Sequence, residues 1–275
     1  MPTGFSPVAI MVAPNGGRRL KADHPAIPLS PAELGRCASD CLDAGAAMMH
    51  VHVRRSDGTH LLDADAYGAA IAAIRAEVGD RLVVQITSEA LGVYSPAEQI
   101  AVVKAVKPEA ASLALREVAP DAAAEPAFLD LLGWMARERV VPQIILYAPE
   151  EAVRLAALRD AGKLPWDDIP VLYVLGRYTV DQKSAPADLL PFLDAGMPGF
   201  AHWSVCAFGQ REAACVTTGA LLGGHMRVGF ENNLQLPDGS VATSNAELVD
   251  TVAALARGAG LKLANAAALR DMWTI

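Results

Sequence analysis

Eight short apolar runs rich in β-branched residues recur along the chain, each bounded by glycine, proline or charge. They span Val8–Ala13, Met48–Val53, Leu82–Thr87, Ala111–Leu115, Val140–Tyr147, Val171–Leu175, Phe200–Val205 and Met226–Phe230. Continuous rather than alternating hydrophobicity predicts strands buried on both faces. Between them the apolar spacing becomes helical, predicting helices over Pro31–Ala44, Ala64–Val78, Pro96–Ala105, Ala127–Glu138, Glu150–Ala161, Pro186–Ala195, Arg211–Leu222 and Ala246–Gly258. Ser30, Asp63 and Ser95 stand as N-caps, and Gly45, Gly79, Gly162 and Gly196 supply stops. Strand–helix alternation predicts a parallel sheet, and eight βα units close into a (β/α)8 TIM barrel with residues 1–275 as one domain. An open doubly wound sheet is the alternative, but the first turn, Ala13-Pro14-Asn15-Gly16-Gly17-Arg18, lacks a GxGxxG fingerprint.

Composition narrows the class of partner. With 52% hydrophobic residues over 275 positions the chain can bury a large core. Lys and Arg number 23 against 31 Asp and Glu, a net charge of −8 without basic clusters, which argues against nucleic acid. Cys37, Cys41, Cys206 and Cys215 lack zinc-finger spacing and read as buried thiols. No apolar run reaches about 18 residues, and Met1–Gly4 carries no charged leader, so the expectation is a cytoplasmic enzyme with small-molecule substrates and no membrane segment.

In a barrel of this kind reactive groups gather at the C-terminal strand ends and the loops that follow. His50 and His52 lie two apart on the second strand, so both imidazoles project to the same side. Glu231 falls at the matching end of the eighth strand. Two imidazoles and a carboxylate with open positions form the donor set of a catalytic zinc site, and manganese or iron also suits it. Polar lining is the other reading of the histidine pair. A divalent cation held there would accept two oxygens and stabilise an enolate. Arg227 shares the parity of Glu231, and Arg18 follows the first strand as a candidate anion binder. Thr87 and Ser112 could donate hydrogen bonds to a carboxylate or oxyanion. His24, His60, His202 and His225 read as structural. A metal hydrolase on the same barrel would need further histidines on strands five and six, which have none.

The segments His50-Val51-His52-Val53-Arg54, Gln85-Ile86-Thr87, Lys107-Pro108-Glu109, Trp203-Ser204-Val205-Cys206 and Gly223-Gly224-His225-Met226-Arg227-Val228-Gly229-Phe230-Glu231 occur in the order seen in β-keto acid cleavage enzymes. The chain resembles that family over nearly its whole length. The resemblance implies a zinc-dependent TIM barrel, usually a homotetramer, that converts a β-keto acid and acetyl-CoA to acetoacetate and a new acyl-CoA. It also implies His50, His52 and Glu231 as metal ligands, Arg227 as the active-site arginine, and Thr87 and Ser112 as substrate contacts.

The chain departs from the family pattern at chemically important positions. Asn232 replaces an aspartate associated with the catalytic arginine, and an amide cannot take a proton near neutral pH. Either another group such as Glu89 or a metal-bound hydroxide serves as base, or the protein is an altered member that binds acyl-CoA or a keto acid. Ser88-Glu89-Ala90 replaces a glycine pair, and Arg177-Tyr178-Thr179-Val180 replaces a glycine-rich loop. Gln143 replaces a common acidic residue after Pro142. Arg18 stands where a relative acting on 3-keto-5-aminohexanoate carries an acid for the substrate ammonium. Like charges in a partly desolvated pocket cost on the order of a kcal/mol. In a panel of β-keto acids, 3-keto-5-aminohexanoate is therefore expected to have a kcat/KM below the neutral or anionic members, and Arg18→Glu is expected to shift selectivity toward it.

Overall fold

Parallel pairing of Ile10, Met11 and Val12 with Met226, Arg227 and Val228 joins the first strand to the last and closes the sheet. The computed structural model describes residues 6–274; the Met1–Gly4 segment considered as a leader lies outside them. The closed ring contains β1 (Val8–Val12), β2 (Met48–Val51), β3 (Val83–Thr87), β4 (Ala110–Ala114), β5 (Val141–Leu146), β6 (Val171–Leu175), β7 (Trp203–Ala207) and β8 (His225–Val228). They pair in chain order, giving the (β/α)8 TIM barrel and excluding the open sheet.

The period-2 pleat divides each strand between two environments. Ile10, Val12, Val51, Val84, Ile86, Leu113 and Val205 face the surrounding helices and form the main core. On the inside, Ala9, Met11, Met48, Val83, Ala110 and Val141 form an apolar floor, sealed by Leu269 and Trp273 from the C-terminal helix Ala266–Trp273. Above that floor the interior becomes polar. Gln85 Nε2 donates to Gln143 Oε1 at 3.1 Å, and Gln143 Nε2 donates to Ser204 Oγ at 3.3 Å. All three residues are buried, so these bonds meet the requirement that interior amides find partners.

The helices begin where their caps stand. Ser30 and Ser95 form reciprocal capping boxes with Glu33 and Glu98, while Asp63 accepts from the Ala66 amide. Other expected boundaries change for identifiable reasons. The region Pro186–Ala195 is not one helix: a 3-10 segment at Pro186–Leu189 passes into one α turn at Leu190–Leu193. Pro191 cannot donate an interior helix bond and crowds the preceding turn. β7 begins at Trp203, leaving His202 just outside it, because the Ala201 amide donates to Asp168 rather than joining the sheet.

β8 stops at Val228, earlier than its apolar pattern suggests, because Gly229 turns the chain at φ +136°. A Cβ there would overlap the Ala13 carbonyl. The short pairing of Val53–Arg54 with His60–Leu61 and the strand Leu263–Ala264 beside β1 have no periodic signature. Gly229→Ala is expected to destabilise the fold by about 2 kcal/mol or more, from left-handed strain and backbone overlap. A lowered thermal midpoint by circular dichroism checks this.

Candidate active site

The polar loops at the C-terminal ends of the strands enclose a cavity of about 310 Å³. His50 is on β2 and His52 follows it, held by Asn15: the Asn15 amide donates to the His52 carbonyl at 2.9 Å, and its Oδ1 accepts from the His52 N–H at 3.3 Å. The turn after β8 carries Glu231 to the same place. Gly16 makes room for it, since a Cβ at Gly16 would lie 2.6 Å from Glu231 Cγ. Arg54 secures the loop below by donating to the Asn15, Gly16 and Arg19 carbonyls.

These elements bring His50, His52 and Glu231 into one cluster with potential ligand atoms within 4.8 Å of one another. The two imidazole Nε2 atoms are 3.2 Å apart. Glu231 Oε2 lies 3.2 Å from His52 Nε2 and 3.6 Å from His50 Nε2, and it is buried without a hydrogen-bond partner among the described residues. Gln85 Oε1 accepts from His50 Nδ1 at 2.8 Å, leaving Nε2 as the lone-pair nitrogen facing the cluster. Three donors converging on one point, one of them oriented by an outer amide, fit a divalent cation.

The electrostatics agree with that geometry. Burial, followed by the field of Arg227, pushes the His50 pKa down to about 3, so the ring is neutral. Burial alone would raise the Glu231 carboxyl, but ion pairing with Arg227 and proximity to both histidines hold it well below the usual carboxylate range. Glu89 shows the opposite result: burial raises its pKa, aided by Glu231 and Glu117. Among the described residues its carboxylate makes no hydrogen bond, with Oε2 3.8 Å from His52 Nδ1 and Oε1 3.9 Å from Arg177.

The remaining expected site residues line the same cavity. Thr87 Oγ1 accepts from the Glu89 amide at 3.0 Å, while the Ser112 hydroxyl is buried without a partner among the described residues. Asn232 is buried beside Cys206, its Nδ2 3.9 Å from the sulfur and its Oδ1 unpartnered. Arg18 is exposed at the mouth, whereas Arg19 and Arg177 reach further in. The other histidines have structural partners or positions. His24 Nδ1 accepts from the Ala26 amide, His60 Nε2 bonds the Glu89 carbonyl, and His225 Nδ1 accepts from the Ala9 amide at the barrel floor.

The beta-keto acid cleavage enzyme family description matches residues 7–275. The chain belongs to this family. It is 30% identical to a 3-keto-5-aminohexanoate cleavage enzyme of Fusobacterium nucleatum subsp. nucleatum, over 90% of this chain and 91% of that protein. A 3-oxoadipate:acetyl-CoA acetyltransferase of Cupriavidus necator is 27% identical, over 97% and 94%. Among solved structures, the ternary complex of ObcA with a C4-CoA adduct and oxalate superposes with a TM-score of 0.71 at 21% identity, covering 91% of this chain and 67% of that one; it shares the fold. Within the family frame, Arg19, Arg54, Arg177 and the Gln85–Gln143 pair are the site components for which the sequence reading gave no role. Polar residues at inward parity inside apolar strands were the available signal for the glutamines.

Two measurements test this arrangement. Metal analysis is expected to find bound divalent cation in the native protein and background levels in His50→Ala or Glu231→Gln, while Gln85→Leu weakens zinc affinity roughly 10- to 100-fold. Burial depresses His50 and His60 to about 3 and His225 to about 4, all below the ordinary 6.5. Between these values the unfolded chain binds histidine protons that the folded chain excludes, so the three histidines contribute metal-free stability that is lost as pH falls, outnumbering the two raised carboxyls Glu89 and Glu212, which act in the opposite sense. Urea midpoints measured across that interval should decline on acidification.

Proposed function

We propose that the protein transfers the acyl portion of a β-keto acid to CoA, using acetyl-CoA as co-substrate and releasing acetoacetate. The convergence of His50, His52 and Glu231 beside Arg227 at the barrel mouth carries this reading, with family membership in support. The expected ion is zinc; manganese and iron suit the same donors. When bound there, a divalent cation supplies Lewis-acid stabilisation for negative charge on the substrate's keto and carboxylate oxygens.

The protein groups divide the remaining work. Glu89 accepts the C2 proton, because its carboxylate lines the cavity with lone pairs unused and its raised pKa suits proton exchange. Arg227 stays cationic against Glu231 and adds positive field where charge develops. Ser112 and Thr87 offer hydroxyl protons to substrate oxygens, while Asn232 contributes an amide contact and no proton acceptance.

C2 loses its proton to Glu89 and forms a bond to the acetyl carbonyl carbon, expelling CoA thiolate. The thiolate adds to the original C3 carbonyl, the C2–C3 bond breaks, and the new acyl-CoA departs. Glu89 returns its proton to C2, giving acetoacetate. The same reading includes a cytoplasmic homotetramer, with assembly to be measured by light scattering.

Incubation of metal-loaded protein with β-keto acids and acetyl-CoA is expected to yield acetoacetate and a matching acyl-CoA by mass spectrometry. Glu89→Gln should lower kcat roughly 100-fold or more, while Asn232→Ala leaves it within about tenfold. The reverse ranking would remove Glu89 from the base role.

A further inference from the structure

Four arginines and three carboxylates line the cavity, but they are not equally engaged. Arg227 is committed to Glu231, and Arg18 remains in solvent at the mouth. Arg177 differs from both. Its side chain is 13% exposed, its guanidinium packs 5.1 Å from the Phe208 ring centroid, and its nearest carboxylate atom is Glu89 Oε1 at 3.9 Å, beyond hydrogen-bond distance. Among the described residues its side chain makes no hydrogen bond. Arg19, also facing the cavity, likewise has no side-chain hydrogen bond or ion pair there. Burial is the main cause that lowers the Arg19 pKa; Asp23, Glu212 and Glu231 oppose it and Arg177 adds to it, so the two guanidiniums are close enough to feel each other across the cavity.

We propose that Arg177, with Arg19 beside it, forms a second anion-binding point that selects β-keto acids bearing a terminal carboxylate. This deepens the function proposed above and rests on it. A β-keto acid has its first carboxylate and keto oxygen at the His50, His52 and Glu231 end, leaving its C4 substituent to extend within the cavity. Arg177 supplies planar paired donors suited to a carboxylate. The aromatic face of Phe208 holds the guanidinium without consuming those donors. Its burial separates it from the solvent-facing position needed to hold the phosphates of CoA, which the exposed Arg18 can meet.

The test compares 3-oxoadipate with 3-oxohexanoate, which share chain length and differ in the terminal carboxylate. Native enzyme is expected to prefer 3-oxoadipate in kcat/KM. Arg177→Met should lower the ratio of kcat/KM for 3-oxoadipate to that for 3-oxohexanoate by roughly tenfold to a hundredfold, whatever common loss both substrates share through its neighbour Glu89. Arg177→Lys, which preserves charge without paired donors, should fall between the two. Equal losses for both keto acids, or a native preference for 3-oxohexanoate, would overturn the assignment. Turnover of neither keto acid would instead defeat the reaction proposed above. Calorimetry with adipate and hexanoate then decides the anion site independently: tighter adipate binding that Arg177→Met abolishes supports it, and indistinguishable binding overturns it.

Discussion

The ion pair between Arg227 and Glu231 is the interaction around which this barrel mouth is organised. A lone guanidinium or carboxylate buried beside these two imidazoles would carry a large desolvation cost. Together they tolerate that position, leaving the second Glu231 oxygen directed at His50 and His52. Several backbone features serve this placement. Gly229 bends the chain after β8, Gly16 permits close approach of the facing loop, and buried Glu212 accepts from the Gly229 amide at 3.2 Å and the Asn233 side chain at 3.2 Å. The carboxylate of the His50–His52–Glu231 cluster is thus positioned by a turn rather than by the strand itself.

The barrel was legible because its repeating strand pattern is large compared with the uncertainty in any one boundary. His50 and His52 were legible because their two-residue spacing at a strand end restricts where the imidazoles project, whereas Glu231 was legible only as an acid near the end of the eighth strand and reaches the cluster through the turn at Gly229. The structure brings them together with Arg227, Asn232, Thr87, Ser112 and Arg18 around one cavity. It does not make their surroundings alike. Arg18 is exposed, whereas Arg177, at a similar loop position after another strand, is largely enclosed by aromatic packing. That distinction depends on loop conformation and on contacts from distant residues, which have no local sequence signature.

Boundary errors have similarly concrete origins. Pro191 interrupts a pattern that otherwise reads as helical, and Asp168 captures the Ala201 amide before β7 begins. The inner amide chain was legible only as residue types: Gln85 and Gln143 lie far apart in sequence, and their bond exists because β3 and β5 face the same enclosed interior. The departure at Asn232 and Glu89 as a substitute base were both visible in the sequence; the fold adds that the Glu89 carboxylate stands in the same cavity, 3.8 Å from His52 Nδ1.

The floor sealed by Leu269 and Trp273 gives the enclosed chamber a directional character. Reactants and products under the proposed chemistry share the loop-side mouth instead of passing through opposite ends of the barrel. A keto acid seated beneath a thioester would then be covered by it, coupling the order of departure to the order of arrival. Traffic through one doorway, as well as bond chemistry, becomes part of the catalytic cycle.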